Sequence, residues 1–118
     1  MKKRTIKDVG IVMDTIKNIS DREYQNSIWV NHNNPNIIDS YDDTTMYFCE
    51  EGLAAIEARD AGRIEMTDNQ YDMLKKLFEM VDAYDLCEIR PDLDKDIVND
   101  PRWHEIRDYA KLVYKELS

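Results

Sequence analysis

Four sets of side chains in this sequence could do chemistry. Asp92, Asp94 and Asp96 alternate as the opening ligands of a calcium loop do, where carboxylates wrap a hard cation. The pattern then fails: the sixth position, which needs glycine for a sharp turn, is Ile97, and the twelfth, which needs a bidentate Glu, is Trp103. His32 and His104 are the only histidines, and neither stands in the HxxxH or HExxH spacing that turns two nitrogens to one helix face. Cys49 precedes Glu50 and Glu51, and Cys87 precedes Glu88. Neighbouring acids work against the low thiol pKa that a nucleophile needs. Both cysteines read as reduced structural thiols.

The carboxylates could supply a general acid and base, but with 25 Asp and Glu a nearby pair carries no information without a pocket. Three scattered glycines build neither a GxxxxGK[ST] loop nor a GxGxxG turn. The expectation is therefore a protein that is not an enzyme, with no catalytic residue, cofactor or metal.

Those side chains must be positioned by helices. At 118 residues with 42% hydrophobic and 35% charged residues, the chain suits one globular domain, residues 1–118, able to bury a core without staples. Three glycines and three prolines are too few for a turn-rich β fold. Ile6, Val9, Val12 or Met13, Ile16 and Ile19 recur at helical spacing behind Thr5, with Gly10 as a weak point. Ser20-Asp-Arg-Glu23 reads as a capping box opening a helix towards Val30, with Ile19 and Tyr24 as its staple. His32 to Asn36 is a loop. Asp39 or Ser40 can cap a third helix, which Gly52 could split and Gly62 could end. Thr67-Asp-Asn-Gln70 is a second capping box, and Pro91 forces a break before Asp100 and Pro101 open the last helix. On that helix Trp103, Ile106, Ala110, Val113 and Leu117 form the cleanest apolar stripe of the chain. The reading is an all-α, single-domain bundle of four to five helices. The alternative is α+β, with one or two short strands at residues 9–13 or 27–31.

Charge is unevenly placed. Residues 39–60 hold Asp39, Asp42, Asp43, Glu50, Glu51, Glu57 and Asp60 against Arg59 alone. Residues 79–100 hold Glu79, Asp82, Asp85, Glu88, Asp92, Asp94, Asp96 and Asp100 against Arg90 and Lys95. The whole chain carries −9, which disfavours direct contact with nucleic acid and favours a basic protein partner. No segment is apolar enough for a membrane span, nor does an apolar signal precede the chain, so a cytoplasmic protein is expected. Tyr41, Tyr47 and Phe48 lie within the first acidic block and Tyr84 within the second, as anchors beside a steering rim.

An acidic, helix-rich domain of this size, with aromatics inside acid over Ser40–Glu51 and the closing stretch Asp100–Arg107, resembles the immunity proteins of bacterial toxin systems. The resemblance implies an inhibitor that covers the active surface of a basic cognate toxin. The candidate partner-binding residues are Asp42, Asp43, Tyr47, Glu50 and Glu51, with Asp82, Asp85, Asp92, Asp94 and Asp96 as a second patch. The competing reading is a structural or regulatory helical module, monomer or homodimer, that self-associates through the last helix or Trp29.

Overall fold

The structure, a computed structural model, describes residues 4–118. It has an all-α architecture with a minimal sheet. In chain order come β1 (Arg4–Thr5), α1 (Gly10–Ser20), α2 (Arg22–Tyr24, continuing as a π-helical segment Gln25–Val30), α3 (Tyr41–Asp60), β2 (Ile64–Glu65), α4 (Asp68–Asp85), α5 (Asp94–Val98) and α6 (Pro101–Leu117). Six α-helices among the described residues exceed the expected four to five by α5, a single-turn element too short to show a period, while α2 and its π continuation occupy the helix expected towards Val30. The strands are not those of the alternative: residues 9–13 lie at the start of α1 and 27–31 in and just after the π segment. Instead β1 and β2 pair in parallel, Arg4 opposite Ile64 and Thr5 opposite Glu65.

That pairing explains why the first helix starts late. Thr5 is held extended, and its N–H and hydroxyl both donate to Asp8 Oδ2, closing a single 3-10 turn over Ile6–Asp8. Ile6 still reaches the core, and Gly10 falls at the first position of α1, where its helix-interior cost does not arise. The expected capping box at Ser20 does not form. Ser20 ends α1 with its hydroxyl donating to the Lys17 carbonyl, and the Asp21 carboxylate one residue later accepts the Tyr24 N–H at 3.0 Å. A charged acceptor makes the stronger cap of the two. Ser40 caps α3 through the Asp43 N–H, Thr67 and Gln70 form the second box as expected, and Asp100 caps α6 with Pro101 behind it. α3 runs unbroken through Gly52. It ends where Gly62, at φ 75°, lets the Arg63 and Gly62 N–H groups bond the Ala58 and Arg59 carbonyls.

The four long helices form a ring in which α1 lies between α3 and α6, and α4 closes the circle between the same two. α3 and α4 make an antiparallel hairpin through β2. The α6 stripe faces this core whole, joined by Val12, Ile16, Ile19, Phe48, Leu74, Leu77 and Val81. No helix among the described residues is long and apolar enough to cross a membrane.

Gln25, with none of its surface exposed, ties three elements together. Its amide donates to the Asn18 and Ile19 carbonyls at the end of α1. Its carbonyl accepts from Trp103 Nε1 at 3.0 Å and from the buried Arg107 guanidinium at 3.3 Å. At the same end of the bundle Trp29, Tyr41, Tyr84 and Trp103 pack with ring centroids 5.3–6.2 Å apart. Edge-to-face contacts at that spacing add about 0.5–1.5 kcal/mol per pair beyond area burial.

Candidate binding surface

Each ring of the aromatic cluster carries a polar tip, and acids from both charged blocks receive three of the four. Asp39 Oδ2 accepts from Tyr24 Oη at 2.6 Å, Trp29 Nε1 at 3.2 Å and Thr44 Oγ1 at 2.6 Å. Asp85 accepts the Tyr41 hydroxyl at 2.9 Å, and Asp94 accepts the Tyr41 backbone N–H at 3.2 Å. Asp100, 8% exposed, accepts the Tyr84 hydroxyl at 2.8 Å and pairs with Arg102 at 3.0 Å. The fourth tip, Trp103 Nε1, goes to Gln25.

Tyr41 is thus the point where the two blocks meet. The antiparallel hairpin sets the start of α3 beside the end of α4, and the chain after Pro91 returns Asp94 to the same place. Burial pushes the Cys49 thiol up to about 11, with Asp82 and Asp85 adding to the shift across the hairpin. Burial also raises the Asp94 carboxyl, opposed by the Tyr41 N–H and reinforced by Asp42 and Asp39. These couplings put Asp39, Asp42, Asp82, Asp85 and Asp94 in one electrostatic neighbourhood. Glu57 and Asp60 lie at the other end of α3, where Asp60 faces Tyr71.

The candidate residues divide in two. Asp42, Glu50, Asp82, Asp92 and Asp96 are exposed, and Tyr47 is 51% exposed. Asp43 and Glu51 are half-buried, Asp94 is half-buried against Tyr41, and Asp85 is held by Tyr41 with Arg90 at 3.9 Å. The cations of this end are largely engaged. Arg90 stands 4.9 Å from the Tyr41 ring centroid and donates to the Pro91 carbonyl, while Arg102 donates to Asp100, the Ile89 carbonyl and Cys87 Sγ. Around Tyr41, segments 39–51 and 82–96 present eleven carboxylates against Arg90 and Lys95.

Of the aromatics in the acidic blocks, Tyr41, Phe48 and Tyr84 are core and Tyr47 is outside. Adjacent helix positions point about 100° apart, so Tyr47 and Phe48 cannot both face inward. Trp29, 2% exposed, and the α6 stripe are buried, while the outer face of α6 exposes Leu112 at 57%. Sequence reasoning passed over Asp39, a hub rather than a cap, and five exposed aliphatics on the loops around Tyr41: Ile37, Ile38, Leu86, Ile89 and Leu93. Their signal was weak: apolar residues outside any helical period, set among acids.

A hollow of about 590 Å³ opens at the opposite end, over Ile6, Ile64, Met66 and Leu117, with Lys7, Arg59 and Glu65 among its lining side chains. Among the described residues no three His, Cys, Asp or Glu side chains are grouped so as to hold a metal ion. Comparison with known proteins finds no family model, no curated protein and no solved structure that matches this chain.

Proposed function

We propose that this chain is a non-enzymatic, acidic protein-binding domain of the immunity type, a cytoplasmic inhibitor that neutralises a basic partner by covering its active surface. The observation that carries this reading is the convergence of the two acidic blocks on Tyr41. Segments 40 residues apart in sequence become one field, which speeds encounter with a cationic surface and rejects anionic ones. The exposed members, Asp42, Glu50, Asp82, Asp92 and Asp96, make no side-chain hydrogen bond within the described residues, so their charge is free for a partner.

The test is capture from the source-cell lysate at low and high salt, with wild type beside Asp42→Asn/Glu50→Gln/Asp82→Asn/Asp92→Asn. Retention of one basic protein at low salt, its loss in the variant, and inhibition of that protein's activity by wild type alone are expected. A captured protein that ignores both salt and the four substitutions sinks the proposal.

A further inference from the structure

We infer that the desolvated centre of this contact is the pair of loops over Tyr41, and that it takes a cationic amphipathic segment. Apolar side chains of that segment would seat on Ile38, Leu86, Ile89 and Leu93, with lysine or arginine in the acidic rim. The inference rests on the acidic-face reading and names the partner's chemistry within it.

The first observation is exposure. Ile38 is 93% exposed, Ile89 77%, Leu86 74% and Leu93 57%. Tyr47, the side chain that sequence reasoning chose as anchor, is less exposed than any of them. Single exposed aliphatics are ordinary, but five, counting Ile37 at 42%, on two loops that meet at one residue, rimmed by acids, have the composition of an interface centre.

The second observation is that both loops are pinned. The Asp39 hub fixes the backbone beside Ile38, and Arg102 donates to the Ile89 carbonyl at 3.2 Å. Arg90 donates to the Pro91 carbonyl at 2.9 Å, and Tyr41 holds Asp94 next to Leu93. A surface ordered before binding loses less entropy on contact. A hollow of about 360 Å³ lies beside Leu93, lined also by Trp29, Asp92, Asp94, His32 and Lys95. Asp92 and Asp94, two carboxylates against the one cation Lys95, suit the head of one long basic side chain with its stem along Leu93.

Charge selects the occupant. A second copy of this chain would bring eleven carboxylates against eleven, and an anionic membrane surface would be repelled by the same field. A basic amphipathic segment satisfies both the aliphatic centre and the rim.

Two synthetic peptides of equal positive charge and length test this, one alternating Leu and Arg, the other Ser and Arg, titrated by NMR into the 15N-labelled protein. The Leu/Arg peptide should bind about tenfold or more tightly than the Ser/Arg peptide, as burial of one or two leucines gives. Leu86→Ser/Ile89→Ser should erase that advantage with an unchanged melting curve, while Asp82→Asn/Asp92→Asn should weaken both peptides alike. Equal affinity for the two peptides, or an advantage that survives Leu86→Ser/Ile89→Ser and vanishes in Tyr47→Ser, overturns the apolar centre and leaves the acidic face standing. Failure of both peptides to bind at low salt overturns the apolar centre and the acidic face together.

Discussion

Removing the Asp39 carboxylate separates acids that hold the fold from acids that face solvent. Its Oδ2 accepts three hydrogen bonds, from Tyr24, Trp29 and Thr44, and the last two donors belong to side chains 2% exposed. A hydrogen bond to a charged group contributes about 1.5–3 kcal/mol, and a buried donor left unpaired costs about 1–3 kcal/mol. Asp39 itself is half-buried, so water can replace part of what Asp39→Ala removes. Short of full additivity, the loss should be about 3 kcal/mol. With an unfolding entropy of about 2.1 cal/mol/K per residue, that is about 12 °C in Tm for a chain of this length. Asp39→Asn keeps a carbonyl at the hub and should lose about half as much. The exposed Asp42→Asn, three residues on, should stay within about 0.5 kcal/mol of wild type. The assay is thermal unfolding by circular dichroism. The Tyr24 phenol supplies a second readout, because burial and the Asp39 carboxylate hold its pKa above the ordinary range. It should titrate lower in Asp39→Ala. A Tm loss under about 3 °C, or a loss no larger than that of Asp42→Asn, would refute the assignment of Asp39 as the hub that orders the loop before α3.

The remaining predictions concern other parts of the same frame. Gly52→Ala should stabilise by about 0.5–1 kcal/mol in urea unfolding, since the added Cβ would meet Phe48 at an ordinary 3.6 Å inside an unbroken helix. Burial pushes the Asp100 carboxyl up, but the Arg102 guanidinium and the Tyr84 hydroxyl outweigh it and hold the pKa below the ordinary value. Its contribution is therefore present above about pH 4 and lost as pH falls through the folded value, so Asp100→Asn should be less stable at pH 7 and flatten the acid limb of a urea-midpoint series. Asp94, raised by burial, has the opposite sign, and Asp94→Asn should gain stability at pH 7 in the same series. Cys49, with a thiol near 11, holds about 0.1% thiolate at pH 8, so iodoacetamide followed by mass spectrometry should label it only slowly until the protein is unfolded.

Much of the local chemistry was legible where the signal lay within a few residues. The α6 stripe, the Thr67–Gln70 box, the Asp100–Pro101 opening and the Gly62 stop are each complete inside one or two helical turns, and the structure carries them as expected. The uneven charge was legible too, being a matter of composition. Reading failed where another residue, distant or adjacent in sequence, competed for the same role. β2 captured Thr5 and delayed the first helix, and Asp21 took the cap that Ser20 and Glu23 were to share. Phe48, packed beside Gly52, left α3 whole. The juxtaposition that matters most for function could not be read at all. Asp39, Asp85, Asp94 and Asp100 look alike in sequence to Asp42 and Asp92, and only the antiparallel return of α4 and the loop after it decides which carboxylates an aromatic core consumes. Sequence determined that this protein is helical and acidic, with much of its acid in two blocks. Tertiary structure decided that the start of the first acidic block and the end of the second share one end of the bundle, because long-range pairing sets which charges are neighbours and periodicity does not.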